Sequence, residues 1–272
     1  MKIIECLHTE SKCYKAAQEV KPVGIVVHST GANNTSLKRY VQPSKSDPKY
    51  ASLIQIIGKN SNGNHWNRSV DKAVHYFIGK DADGNVAVAH VHPETYCAWG
   101  VGKGKKGSYN YAPTAHIQFE ICEDNLKGKA YFDACYAAAV SLCADICKRW
   151  GWKVDVIVSH AEAHKKGYGS NHADIDHWLK KYGKTMADFR DDVYNILNPP
   201  KPISKGDIVQ FTGTNHYYSA NSTTAKKCKP GKAQVIATYQ IGKSRHPYQL
   251  KALKGGGSTV YGWVDAKYIR RI

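Results

Sequence analysis

Short apolar runs recur through the first 197 residues, and each ends in polar residues. Four to eight residues rich in Val, Ile and Phe, bounded by turn-forming residues, are typical of a buried β-strand. The runs that fit this description are 24–28, 74–79, 86–91, 115–122 and 156–158. Asp83-Gly84-Asn85 is a hairpin signal that pairs the second run with the third.

Between the fourth and fifth of these runs, the spacing of apolar residues changes to that of a helix. Apolar residues spaced three or four apart predict a helix over 130–150 that covers the sheet, and Gly151 ends it. Thr185 is a predicted N-cap for a last helix that ends near Leu197.

Asn34 or Thr35 is predicted to cap a helix through Leu37 and Tyr40. Residues 41–72 are polar and predict a long surface excursion, with Trp66 as its anchor.

The pattern changes after residue 197. Asn198-Pro-Pro-Lys-Pro202 predicts a stiff linker. Beyond it, short β-rich runs at 206–211, 233–240, 248–253 and 261–264 predict a small all-β barrel. The chain is therefore predicted to hold an α/β domain over 1–197, a linker over 198–204 and an all-β domain over 205–272.

Charge adds to this division. The 272-residue chain has a formal net charge of +17, of which +11 lies between Asn198 and Ile272 (13 Lys and Arg against 2 Asp and Glu). A dense positive surface on a small module implies a polyanionic partner: nucleic acid, anionic lipid or an anionic wall polymer.

Composition also bears on where in the cell we expect the protein to be found. No run of eighteen apolar residues is present, so we predict no insertion into a membrane. The opening MKIIECLHTESKCYKA lacks the apolar core of a secretory signal, so we expect the protein to stay in a cytoplasm until something releases it. Eight scattered cysteines without a CxxC pair do not suggest a disulfide framework. Three of them, Cys135, Cys143 and Cys147, share the helical pattern and are predicted to be buried.

The stretch Val156–Trp178 concentrates groups that bind metals. A predicted strand ends at His160, and a predicted loop with His164, Gly167 and Gly169 follows. The loop then supplies His172, Asp174, Asp176 and His177 within six residues. His28 ends an earlier β-branched run in the same context, which weakens the alternative that it is only a hydrogen-bonded core histidine. Loops on a rigid sheet commonly carry such ligands.

Other candidate residues lie on the middle strands and on a glycine-rich segment. Alternation over 115–122 places Glu120 on one face with His116 and Gln118, either in a salt bridge or as an acid–base group. His75, His90 and His92 are further possible ligands. Residues 98–112 are rich in Gly, Lys and Tyr, and their aromatic residues suit contact with a sugar or a peptide; no GxxxxGK[ST] pattern indicates a nucleotide.

These segments together resemble the zinc-dependent N-acetylmuramoyl-L-alanine amidases of the type 2 amidase fold. The resemblance covers about residues 20–197. It is carried by IVVHST around His28, VHYFIGKDADG around His75, HIQFEICED around Glu120, and SHAEAHKKGYGSNHADIDHW from His160. It implies a mixed central β-sheet flanked by helices. The tail resembles a bacterial SH3-type wall-binding module, and the order of the two domains resembles that of bacteriophage endolysins.

The resemblance also assigns roles. It implies Zn²⁺ ligands at His28, His160 and Asp174, a general base at Glu120, and an oxyanion-stabilising group at His172, where relatives often carry Lys. His172 as ligand, with Asp174 supporting it, is the alternative. Two imidazoles and a carboxylate leave a fourth position open, as catalytic zinc requires.

The implied reaction is cleavage of the bond between N-acetylmuramic acid and L-alanine in peptidoglycan, leading to bacterial lysis. Residues expected to contact the substrate are His75, Trp99 and Tyr109. The implied partners are peptidoglycan and anionic wall polymers.

Two other functions fit parts of the sequence. The same fold can bind peptidoglycan without cutting it when a ligand is lost, but His28, Glu120, His160 and Asp174 are all present, which favours an enzyme. The basic tail also fits a nucleic-acid protein, yet it contains no RNP, zinc-finger or basic-helix pattern, so no nucleic-acid partner is predicted.

Overall fold

The structure, a computed structural model, describes residues 3–272. The chain divides into two compact units, which meet between Pro199 and Pro200, inside the predicted linker. The elements of the first unit are β1 (Ile3–Glu5), α1 (Lys12–Ala16), β2 (Ile25–Ser29), α2 (Tyr50–Ile57), β3 (Tyr76–Lys80), β4 (Val86–His90), β5 (Ile117–Ile121), α3 (Lys129–Trp150), β6 (Ile157–Ser159), α4 (His160–Lys166), α5 (Asp176–Lys181) and α6 (Met186–Leu197).

The first unit is a mixed six-stranded sheet with helices packed on it, as predicted. The strand order is β1-β4-β3-β5-β2-β6. Of the five strand pairs described in this sheet, the β3–β4 hairpin is antiparallel and the other four are parallel, so β5 and β6 both run parallel to β2. Because the carboxyl ends of parallel strands meet at one edge, the sheet brings the ends of β2, β5 and β6 together.

The main core lies between one sheet face and α3, α5 and α6. Trp178, Phe119 and Phe189 are fully buried there. The predicted helix over 130–150 is confirmed as α3, and its Cys135, Cys143 and Cys147 are buried. Among the helices within residues 3–272, this one is long and apolar enough to cross a membrane, but half of its apolar window is buried inside the protein.

Several local predictions were incomplete or wrong. The predicted helix through Leu37 and Tyr40 is a single 3₁₀ turn, Leu37–Arg39, preceded by Ser36 rather than capped by Asn34 or Thr35. The polar excursion contains α2, whose Leu53 and Ile57 are buried. Trp66 is confirmed as an anchor, since its ring packs edge-on against Phe77.

The stretch after β6 is also more regular than predicted. The chain enters α4 immediately at His160 instead of forming a loop. Ser159 caps this helix: its hydroxyl accepts the Glu162 N–H, and the Glu162 carboxylate accepts the Ser159 N–H. This reciprocal pair satisfies two of the donors that a helix start leaves free. His160 is therefore held in the first turn of a helix.

The second unit is an antiparallel sheet of seven strands. Its elements are β7 (Ile208–Phe211), β8 (Asn215–Tyr217), β9 (Ala225–Lys227), β10 (Gly231–Thr238), β11 (Tyr248–Ala252), β12 (Tyr261–Val264) and β13 (Ile269–Arg271). The strand order is β13-β7-β10-β11-β12-β8-β9. Alternating residues of the longer strands, such as Phe211, Val235 and Leu250, form its core. The sequence predicted four of these strands; β8, β9 and β13 are three residues each and carry little apolar pattern.

Candidate metal centre

His28, His160 and Asp174 converge at the carboxyl edge of the first sheet. They are the one group of metal-binding side chains that meets within the described part of the chain, residues 3–272. His28 Nδ1 lies 3.1 Å from His160 Nδ1 and 3.2 Å from Asp174 Oδ2, and His160 Nδ1 lies 3.4 Å from Asp174 Oδ1. Both histidines are buried, and the Asp174 side chain is 12% exposed.

This donor set fits Zn²⁺. Bonds of 2.0–2.1 Å at tetrahedral angles place ligand atoms about 3.3 Å apart, close to the observed separations. Burial raises the pKa of Asp174, but the adjacent imidazoles of His160 and His28 outweigh it and hold that pKa well below its usual range. The carboxylate is thus ionised, as a ligand must be. His28, His160 and Asp174 are the residues that would hold the ion.

His172 lies outside this group. Its side chain is 63% exposed, and its Nδ1 is 3.7 Å from Asp174 Oδ1. Its ring stacks on the His160 ring at a centroid distance of 4.7 Å. The geometry therefore favours Asp174 over the alternative ligand His172, and leaves the His172 imidazole at the open side of the site.

Glu120 lies directly beside His28, because the two residues are register partners on the parallel strands β5 and β2. The side chain is buried, and its Oε2 has no hydrogen-bond partner among the described protein groups. Burial raises the pKa of Glu120 well above its usual range, and the nearby Asp174 and Glu123 carboxylates raise it further. The salt bridge that the sequence allowed as an alternative is not found at Glu120 in residues 3–272, so the geometry supports an acid–base group.

The structure places His75, a predicted substrate contact, in the interior of the first unit. It is buried, its Nδ1 accepts the Gln118 N–H at 2.9 Å, and its Nε2 donates to the Tyr96 carbonyl at 3.0 Å. Burial lowers the pKa of His75 to about 3, with a smaller contribution from His92. This neutral imidazole holds backbone segments together, and both of its nitrogens are already used.

The other two predicted substrate contacts, Tyr109 and Trp99, lie in different surroundings. The Tyr109 ring is sandwiched between His116 and Tyr168 at centroid distances of 3.8 and 4.9 Å, and only 7% of the residue is exposed. Tyr109 thus packs between these two rings, and its contact with substrate stays a prediction. Trp99 is half-buried beside Cys13 and Cys97, and its contact with substrate stays a prediction.

Glu123 is a buried residue of the site that the sequence did not reveal. One of its oxygens accepts hydrogen bonds from the Ser29 hydroxyl at 2.6 Å and from the Gly31 N–H at 3.2 Å. The same oxygen lies 3.0 Å from His177 Nε2, and this contact raises the pKa of His177. Glu123 therefore ties the segment after His28 to α5 through His177.

Comparison with known proteins identifies the family. The family model described as N-acetylmuramoyl-L-alanine amidase matches residues 18–175, a range that includes His28, Glu120, His160 and Asp174. No curated protein sequence matches the chain.

Solved structures similar to this chain include the Staphylococcus aureus hydrolase AmiA in complex with its ligand, which is 20% identical over 72% of this chain and 84% of that one, with a TM-score of 0.48. The PlyG catalytic domain is 19% identical over 75% of this chain and 100% of that one, with a TM-score of 0.46. A mutant endolysin from Bacillus subtilis is 18% identical over 71% and 99%, with a TM-score of 0.44. Because the family match spans more than half of the chain, this protein belongs to the N-acetylmuramoyl-L-alanine amidase family of peptidoglycan hydrolases.

Proposed function

We propose that the chain is a zinc-dependent amidase that cleaves the bond between the lactyl carbonyl of N-acetylmuramic acid and the L-alanine of the stem peptide. The observation that carries this proposal is the His28–His160–Asp174 group with the buried Glu120 carboxylate beside it. A non-catalytic peptidoglycan binder needs neither a complete donor set nor an unpartnered buried acid.

Each side chain has a distinct part in the proposed reaction. Bound Zn²⁺ would supply Lewis-acid polarisation of the scissile carbonyl. Glu120 takes a proton from the attacking water and returns it to the leaving amine of L-alanine. Protonated His172, on the open side, donates a hydrogen bond to the oxyanion that develops on the carbonyl oxygen.

The test uses purified peptidoglycan and the zinc-loaded full chain. Amidase cleavage releases stem peptides with a free L-alanine amino group and creates no new reducing sugar ends; mass spectrometry distinguishes these products. A strong chelator is expected to abolish release and added Zn²⁺ to restore it. Binding to the wall without any release, beside an active reference amidase, would support the non-catalytic binder instead.

We further propose that the second unit, within residues 205–272, is an SH3-like barrel that holds the enzyme on the anionic wall. The support is its net charge of +11 over 198–272 and a groove of roughly 310 Å³ that includes Tyr239 and Trp263 in its lining. Aromatic faces beside positive charge suit a polymer of sugars and anionic groups. Release of the enzyme from the cytoplasm to the wall, with lysis of the host, is part of the same proposal.

A further inference from the structure

The outer nitrogens of both metal-site histidines lead through hydrogen bonds to a single residue, Val101. We propose that the backbone of Val101 fixes the tautomer of His28 and of His160, so that each presents a bare Nδ1 to the metal. Gln118, Asn110 and Ser170 act as positioning residues between Val101 and the two rings. The inference rests on the proposed zinc function and adds to it the groups that prepare the ligands.

The path to His28 has only one consistent set of donors and acceptors. The Val101 N–H can only donate, and it donates to Asn110 Oδ1 at 3.2 Å. The Gln118 amide also meets Asn110 Oδ1, at 2.9 Å, and it must do so with its NH₂ group. A second acceptor near that NH₂ group, the Tyr109 carbonyl at 3.5 Å, agrees with this orientation.

The orientation of Gln118 then decides the state of His28. Gln118 Oε1, an acceptor, faces His28 Nε2 at 3.2 Å. A bond forms only if His28 Nε2 carries the proton, and a neutral imidazole with its proton on Nε2 has a free lone pair on Nδ1. That Nδ1 is the nitrogen that faces His160 and Asp174.

The path to His160 starts at the Val101 carbonyl and leads to the same tautomer. The Val101 carbonyl can only accept, and the Ser170 hydroxyl donates to it at 3.1 Å while the Ser170 N–H donates at 2.9 Å. With its proton committed, Ser170 Oγ is left as an acceptor, and it lies 3.2 Å from His160 Nε2. His160 therefore also carries its proton on Nε2 and keeps Nδ1 free.

Two glycines allow this close approach. A Cβ on Gly100 would lie 2.4 Å from Gln118 Oε1, and a Cβ on Gly102 would lie 2.7 Å from Ser170 Oγ. Gly102 also has a φ of +68°, which other residues adopt rarely. The sequence Gly-Val-Gly thus places the Val101 peptide groups between the two side chains that touch the histidines.

Because the groups along these paths are buried, one tautomer of each histidine ring is favoured over the other. Gln118 and Val101 are fully buried, and Asn110 is 6% exposed. A buried polar group that loses its partner costs about 1–3 kcal/mol, so the opposite tautomer of either ring is disfavoured. Groups that orient metal-bound histidines typically change metal affinity 10–100-fold when they are removed.

Zinc affinity, measured by competition with a chromophoric chelator on the full chain, is the first test. Gln118→Leu is expected to weaken Zn²⁺ binding about 10–100-fold. Gln42→Leu is the matched control, since Gln42 is also a buried glutamine whose amide bonds to the chain, at Val41 and Gly58, away from the site. Both changes lower stability, but only Gln118→Leu changes zinc affinity.

The second arm examines the other path. Ser170→Ala is expected to weaken Zn²⁺ binding by a similar factor, with Ser44→Ala, at a buried serine bonded to Thr9 and Asn67, as its control. If Gln118→Leu does not fold, the zinc affinity of Ser170→Ala still tests whether these positioning residues affect the metal site.

The third arm observes the tautomers directly in the metal-free wild type. Two-bond ¹H–¹⁵N imidazole spectra at mildly alkaline pH are expected to show His28 and His160 with the proton on Nε2. Protons on Nδ1, or zinc affinities unchanged in both Gln118→Leu and Ser170→Ala, would overturn the inference and leave the zinc proposal intact. A wild-type chain that binds no Zn²⁺ would overturn both.

Discussion

At the scale of single residues, Glu120 and His172 differ in what the fold does to them. Glu120 is buried beside a metal-site histidine with an unpartnered oxygen, whereas His172 is mostly exposed at the open side of the same site. A buried carboxylate with a raised pKa suits proton transfer. An exposed imidazole at the open side of the site has a free ring N–H for an anion that develops on the substrate.

Glu120→Gln is expected to retain Zn²⁺ and the fold but to lower kcat by about 10²–10⁴, because the amide cannot accept the proton of water. The measurement is release of stem peptides per zinc-loaded molecule. Glu94→Gln serves as the control: this carboxylate bonds Tyr76, Arg149 and Trp150, away from the metal centre, so its loss lowers stability and leaves turnover per folded molecule close to wild type. Turnover of Glu120→Gln near the wild-type value would remove Glu120 as the base.

His172→Ala is expected to lower kcat by about 10²–10³ with zinc affinity changed only a few fold, since one oxyanion donor is lost. His172→Lys, which restores a cation, is expected to recover part of the loss. Steady-state kinetics and chelator competition on the same samples separate the two effects. A large loss of zinc affinity in His172→Ala would revive His172 as the third ligand.

At the scale of elements, the β3–β4 region is fastened to α3 through one carboxylate. Glu94, which follows β4, accepts hydrogen bonds from Tyr76 on β3 and from Arg149 and Trp150 at the end of α3, at 2.6–2.8 Å. Burial raises the pKa of Glu94, but the bonds from Arg149, Tyr76 and Trp150 outweigh it and lower the pKa to about 2. The end of the long core helix is thereby held against the sheet.

A folded-state pKa below the unfolded one means that the ionised form stabilises the fold above about pH 4.3 and that this stabilisation is lost as pH falls towards 2. Glu94→Gln is therefore expected to lower the free energy of unfolding by about 1–3 kcal/mol at pH 7 and by progressively less below pH 4. Urea denaturation at a series of pH values measures this. Asp133→Asn, which removes an exposed partner of Lys129, is expected to change little at any pH. A deficit in Glu94→Gln that does not shrink at low pH would contradict the assignment.

At the scale of the whole molecule, charge and chemistry are divided between the two units. The first 197 residues carry a net charge of +6 and all the proposed catalytic groups, while the remainder carries +11 on far fewer residues. Tyr239 is 46% exposed at the groove of the second sheet, where it meets Trp263 edge-on. Retention on an anionic polymer by such a unit depends on salt.

Tyr239→Ala in the full chain is expected to weaken binding to purified wall sacculi several-fold, while cleavage of a small soluble substrate is unchanged. Tyr194→Ala is the control, because Tyr194 is 53% exposed on α6 of the first unit. Co-sedimentation with sacculi freed of nucleic acid, at low and high salt, measures both changes. Wall binding that is indifferent to salt and to Tyr239 would argue against the wall-binding proposal.

Local pattern determined a large part of this protein. The strand runs, the α3 period and the Thr185 cap depend on neighbouring residues, so they could be predicted. That His28, Glu120 and His160 belong to one site was implied by the family resemblance. The Ser159–Glu162 capping signal was also present in the sequence, and it predicts the helix at His160 that we expected to be a loop.

The tertiary structure decided which of the many polar candidates meet. His75 and Tyr109 are residue types that often contact substrates, yet packing buries both side chains. Asp174, and not His172, joins His28 and His160. The groups that hold the ligands come from residues 101, 110, 118 and 170, which are distant in sequence and carry no shared motif. Side-chain hydrogen bonds across such separations depend on how the sheet and its loops pack, and a one-dimensional pattern does not contain that information.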